Sequence, residues 1–433
     1  MRRTPREDVM TVHSLKTRTA AESAFVDQFA ATQGTAPALD REASFRAFTA
    51  KGLPTRRDET WHYTDLRSLV PEAAPLAAEP TAEAIAAAKK VLGARAAAGV
   101  RVAIVDGRFV PGLSEAPPTG VRIAALAQSD RAFSVGADVD ALVALNGGLA
   151  QGGCIVTVEA GVKAAAPIEI VHLMTAGAAK SVYSRVSVVI GAGAEVRLVE
   201  SYIGAGPGCQ RNAATLLELA ERAKATHCAV LEDDAAVHIE SQLVRLSDKA
   251  EFSAFGFVAG AALVRRQIFA TLVGQHTNLA LAGLSLLNGK RHADTTLVVE
   301  HAAPHGQSRE FYKHIVADDA TGVYQGKVIV QPGAQKTDGG MKSQAILLSP
   351  HAAMNNKPEL EIFADDVVCG HGATVGALDP EQLFYLRARG LAKAEAEAML
   401  LEAFGADVIA RVEDEALGEL LREKMRVWLA ARG

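Results

Sequence analysis

A thiol and an imidazole stand two residues apart late in the sequence, at Cys369 and His371, within the run Asp365-Asp366-Val367-Val368-Cys369-Gly370-His371-Gly372-Ala373-Thr374. The segment reads as extended. Successive side chains on a strand alternate faces, so these two project from the same side. Thiolate sulfur and imidazole nitrogen both suit iron, zinc and copper. Two donors do not close a coordination sphere, so a metal centre here needs ligands from elsewhere. The other cysteines, Cys154, Cys209 and Cys228, are scattered without a CxxC spacing. That argues against a disulfide framework and against a self-contained zinc or cluster motif, and leaves these three as buried small hydrophobes.

Other chemically capable groups make weaker cases. Asp233-Asp234, Asp318-Asp319 and Asp365-Asp366 can supply the two acids of a polysaccharide-cleaving enzyme. Adjacent residues on a strand face opposite ways, however, and aspartate is an ordinary turn former. A sugar groove also calls for stacking aromatics, and only 5% of the chain is aromatic. His301, His305 and His314 crowd one region and converge only if their segments pair side by side. The stretch 336–342 (KTDGGMK) reads as a loop or bulge near a functional face, because its glycines permit close backbone approach. GLSLLNGKR at 283–291 fails as a phosphate loop. Five residues separate its glycines, and Arg291 stands where Ser or Thr should ligate magnesium. Gly191-Ala192-Gly193 lacks the third glycine of a dinucleotide fingerprint, and no HExxH or GxSxG occurs. No catalytic residue is assigned.

The elements that must position Cys369 and His371 fall into three zones. The chain has 433 residues, 49% hydrophobic and 22% charged, the composition of a large soluble globular protein. A net charge of −5 offers no basic face for nucleic acid. The basic start has no apolar signal core behind it, and no apolar run reaches the roughly 20 residues of a membrane span, so the expected location is cytoplasmic. Residues 1–100 read as a helical N-terminal domain, with Ala24, Phe25, Phe29 and Ala30 on one face. Residues 101–376 carry short alternating segments such as Val182-Ser184-Val186-Val188-Ile190, separated by tight breaks. Breaks near 306, 319 and 333 recur at about 14 residues, as in a solenoid of two or more strands per coil. Residues 377–433 read as a helical C-terminal domain. Asp379-Pro380 caps a first helix that Gly390 stops, a second spans 393–404 and is ended by Gly405, and a third spans 407–429. The tail is amphipathic, and its apolar face either packs on the β core or binds a partner.

KPELEI at 357–362, ADDV at 364–367, CGHGATVG at 369–376 and DPEQLFYLRARGL at 379–391, with GLPTRRDETWHYTDL at 52–66, resemble the SufD family of scaffold subunits of the SUF iron–sulfur cluster assembly system. The resemblance covers essentially the whole chain. It implies a mainly β fold: a right-handed parallel β-helix core flanked by N-terminal and C-terminal helical domains. It also implies a non-catalytic scaffold acting with SufB, through the β-helix end, and with the ATPase SufC, through the C-terminal helices. Leu383, Leu386, Leu391, Met399 and Phe404 are then the expected partner-binding residues. The implied cargo is a transient iron–sulfur cluster shared with SufB, with His371 taking part and Cys369 a further candidate ligand; a reduced flavin in the complex stays open. The isolated chain is expected to form a homodimer. Gly372 stands where the sister subunit SufB typically has the glutamate of HEAT. A SufB-like subunit, a carbohydrate-active β-helix enzyme and a purely structural solenoid are the competing readings.

Overall fold

The computed structural model describes residues 18–32, 41–126 and 140–432. The basic start of the chain, residues 1–8, lies outside them. Four helices come first: α1 (Ala20–Ala31), α2 (Arg41–Lys51), α3 (Leu66–Leu69) and α4 (Ala82–Gly93). Thr19 and Glu22 cap α1 reciprocally, each side chain accepting from the other's backbone N–H. Then come β1 (Val100–Val105), β2 (Arg108–Phe109), β3 (Val121–Ala125) and α5 (Ala141–Leu149). Although α5 falls inside the 101–376 span, it is buried throughout and packs on α2 and α1 in one cluster with Phe25, Phe45, Phe48 and Trp61.

From there the chain winds as a parallel β-solenoid of about eight turns. One sheet stacks β4 (Gly153–Val158), β6 (Ser181–Ile190), β8 (Gln210–Leu219), β10 (Val237–Leu246), β12 (Leu263–Leu272), β14 (His292–His301), β16 (Thr321–Val330) and β18 (Ala353–Ile362). The other stacks β5 (Ile168–Met174), β7 (Glu195–Gly204), β9 (Lys224–Leu231), β11 (Glu251–Val258), β13 (Asn278–Leu287), β15 (Gln307–Val316), β17 (Asp338–Leu347) and β19 (Val368–Gly376). Two strands of about ten residues with their turns account for the spacing of the breaks. The alternation of valine and isoleucine sends one set inward, where Val186, Val188 and Ile190 stack on Leu217 and Leu219, then Val244 and Leu246.

One corner is built from a ladder of turns. Arg222, Lys249, His276, His305 and Lys336 each take positive φ, between 56° and 63°, and each donates its backbone N–H to the turn above. Non-glycine residues rarely adopt this region, so the hydrogen bond to the next coil offsets a local cost. His276 and His305 stack there at 4.6 Å. The stretch 336–342 is therefore not a loop: only its start turns, and Gly339 and Gly340 lie in the regular strand β17.

Residues 55–65 clasp the helical cluster to the solenoid. The Arg265 guanidinium lies 4.1 Å over the Trp61 ring, Trp61 Nε1 donates to Asp140, and the Thr60 carbonyl accepts from Arg265 and Gln325. At the other end come α6 (Pro380–Ala388), α7 (Lys393–Ile409) and α8 (Glu415–Arg432). Asp379 caps α6 through its side chain. Gly405 does not end the second helix, which runs on to Ile409. A Cβ at Gly405 would stand 2.3 Å from the Met425 sulfur, so this glycine lets α7 approach α8 closely instead of stopping it. Leu401, Val408, Leu421 and Met425 pack with Phe255, Phe257 and Leu284 on the outer face of the solenoid.

Candidate functional site

β19 is the outermost strand of its sheet and pairs with β17 alone among the described residues. Its inward positions continue columns that run through the whole solenoid. Cys369 stands over Gly339 and Ser308, and His371 over Met341 and Glu310. The two residues share a face, as alternation requires. Cys369 is half-buried against the core and His371 is exposed, with no further coil above them among the described residues. A Cβ on Gly339 would meet the Cys369 sulfur at 3.3 Å, so the glycine leaves room for the thiol to turn inward. Burial pushes the thiol pKa up, partly countered by the Gly339 backbone N–H. Cys369 must therefore lose a proton to become a ligand.

The coil around the pair is open. None of the residues of β18 or β19 is buried, and Ile362, Phe363, Val368 and Val375 present a large apolar surface, Val368 being 73% exposed. Such an uncovered sheet end invites another chain. Among the described residues no three histidine, cysteine or acidic side chains gather as a metal site. The pair is an incomplete donor set at an incomplete surface.

The remaining candidates do not converge. His301 is buried and bonds Ser308, His305 is exposed on the turn ladder, and His314 lies inside the solenoid. Asp233 is buried between Arg211 (2.7 Å) and His238 (3.2 Å), so it is not merely a turn residue. Asp318 does sit in a turn, and Asp366 pairs with Lys336. On the C-terminal helices, Leu383, Leu386 and Leu391 are half-buried and Met399 is exposed. Phe404 instead turns inward, its ring 4.2 Å from the Lys313 ammonium and its carbonyl accepting from it at 2.9 Å. The most exposed apolar groups on α6 are Phe384 and Tyr385, neither among the partner-binding residues expected from the sequence.

Sequence reasoning also missed a polar stripe along the interior. Glu200 accepts from His172 (2.7 Å), His227 (2.9 Å) and Thr215 (2.8 Å), and Ser184 and Gln242 extend the set from the facing sheet. Burial pushes the Glu200 pKa up, but these hydrogen bonds outweigh it and hold the carboxyl well below its usual range. Higher in the stack, Arg266 meets Glu240 at 3.0 Å. Gly256 and Gly283 make the space: a Cβ on the first would strike the Arg266 guanidinium, and one on the second the Tyr312 ring. Tyr312 in turn acts on Arg266. The stripe continues to Glu310 and His314, two strands beneath β19, and to Tyr324, one strand beneath β18. The available signal was spacing: His238, Glu240 and Gln242, and again Glu310, Tyr312 and His314, recur at every second residue.

Comparison with known proteins gives this geometry a context. Residues 172–404 match the family model described as "SUF system FeS cluster assembly, SufBD core domain", and residues 27–170 match that for the SufBD protein N-terminal region. The chain is 29% identical over 391 residues to the iron-sulfur cluster assembly protein SufD of Escherichia coli, covering 89% of this chain and 91% of that one. It is 28% identical to a SufBD family protein of Synechocystis, covering 86% of each. A 119-residue stretch is 36% identical to SufD of Bacillus subtilis, covering 27% of each chain.

Proposed function

The chain belongs to the SufBD family of iron–sulfur cluster assembly proteins, and we propose from that premise that it is the SufD-type scaffold, holding part of a nascent cluster at its open coil. One observation carries the reading: Cys369 and His371 share a face on the outermost strand of the sheet, with no third donor gathered beside them among the described residues. A SufB chain covering the coil supplies the missing ligands and shields the apolar rim. Imidazole in place of thiolate changes the charge and lability of such a site. A ligand set split across two chains opens and closes as the chains move. SufC docks on the C-terminal helices, where Phe384, Tyr385 and Met399 are exposed beside the half-buried Leu383, Leu386 and Leu391. Among the described residues no helix is long and apolar enough to cross a membrane.

The direct test is co-expression with SufB and SufC, followed by co-purification and measurement of iron, sulfide and cluster absorbance. A complex that forms yet accepts no cluster removes the scaffold role. Phe384→Glu combined with Met399→Glu is expected to abolish SufC co-purification while SufB still co-purifies, since neither side chain belongs to the solenoid core. Retained SufC places the docking surface elsewhere.

Without SufB, the same open coil meets a second copy of itself. The isolated chain is expected to be a dimer at micromolar concentration by light scattering, and Val368→Lys is expected to make it monomeric. A wild-type monomer contradicts this use of the coil.

A further inference from the structure

Glu310 lies in the column of His371, two strands below it, about 10 Å at ordinary strand spacing. Its surroundings do not suit a carboxylate. Leu281 flanks it from β13 and Met341 from β17, both apolar. The titratable and charged neighbours are Tyr312 and His314 on its own strand, Tyr324 from β16, and Arg266 from β12 beyond Tyr312. Arg266 is engaged by Glu240, and among the described residues no ion pair reaches Glu310. Both its oxygens are buried without a geometrically complete hydrogen bond, and the Tyr324 hydroxyl is the polar group that acts on them. Burial without a counter-charge strongly disfavours the ionised form, so the group holds a proton instead. Polar atoms continue toward the opening. Tyr324 stands beside Asn356 in register, Ser343 donates to Asn356 Oδ1 at 2.7 Å, and Ser343 lies under Ala373 of the outermost strand.

We propose that Glu310 is an internal proton donor for the open coil, delivering a proton to sulfur as iron departs once a partner chain has sealed the coil from water. The inference rests on the scaffold reading. In the step, an iron–sulfur bond breaks with its electron pair remaining on sulfur. The carboxylic O–H bond breaks, an S–H bond forms, and no electron changes hands. Glu310 is left as a carboxylate and regains a proton from water when the coil reopens. Burial raises the Glu310 pKa to about 8, near that of ordinary thiols, which suits transfer to sulfur. Tyr324 and the polar atoms beyond it give the proton a route that Met341, directly in the column, does not.

The experiment uses the cluster-loaded complex and follows iron release to a ferrous chelator across pH. Wild-type release is expected to slow as pH rises through about 8. Glu310→Gln is expected to abolish that step and slow release at lower pH on the order of a hundredfold. Tyr324→Phe removes the hydroxyl that lowers the Glu310 pKa, so its step moves to higher pH. Infrared spectra of the isolated chain add a readout that needs no cargo: a protonated-carboxyl band at neutral pH, lost in Glu310→Gln. A Glu310→Gln complex with the wild-type step and rate overturns the proposal, as does an unmoved band. If the Glu310→Gln complex fails to assemble, an unmoved step in Tyr324→Phe overturns it. Failure of His371→Ala to affect loading is a separate result and bears on the scaffold reading.

Discussion

His371→Ala will lower the cluster content of the assembled complex tenfold or more while leaving its composition unchanged. The imidazole is exposed on an uncovered strand and supports little packing, so the stability change is expected within about 0.5 kcal/mol. Losing a ligand costs at least the 10- to 100-fold typical of groups that merely orient one. Cys369→Ala separates the roles of the pair. A loss equal to that of His371→Ala makes the thiol a ligand, and a milder loss makes it a neighbour that shapes the site. The measurement is iron, sulfide and visible absorbance of each reconstituted complex. Full loading of the His371→Ala complex removes the pair from cluster assembly.

The second large effect concerns stability. Glu200→Leu strips the shared acceptor from His172, His227 and Thr215, all buried. Breaking such a network by removing one partner costs about 3–5 kcal/mol, read as a lower denaturant midpoint. The pH dependence gives a second check. The Glu200 carboxyl titrates lower in the folded chain than its usual 4.5, so its contribution is fully present above that value and is lost as pH falls below it. Wild type therefore loses stability on acidification more steeply than Glu200→Leu. Equal midpoints at neutral pH mean that the network contributes nothing net.

Short strands between recurring breaks were legible in the alternation, whereas the parallel β-helix they build came with the family resemblance. Alternating valine and isoleucine between breaks about 14 residues apart points to a mainly β region and suits a solenoid, but the period is irregular along the chain. The Cys369–His371 pair was legible from alternation too, since period two puts both on one face wherever the strand lies. The polar stripe was not. His238, Glu240 and Gln242 alternate as cleanly as any hydrophobic set, but polar residues on a strand ordinarily mark the solvent face, and here they mark the interior. Only the facing sheet, with Arg266 seated against Gly256, shows why they can be buried. Gly405 failed as a helix stop for a related reason. A glycine near an expected helix end carries the same letter whether it turns the chain or admits a neighbouring sulfur.

The strand register sets a rule for how the length of this protein can change. Leu263, His292 and Thr321 occupy equivalent rungs at intervals of 29 residues. Excising one whole interval rejoins each sheet to itself, and every column resumes with its neighbours one rung closer. Excising a single strand instead transfers all later segments to the opposite sheet. Were that strand β18, Cys369 and His371 would emerge above β16, away from the rungs of Gly339 and Met341 that now support them. Viable descendants of this sequence are thus expected to differ in length by complete windings, and partial ones would be purged at the open end first.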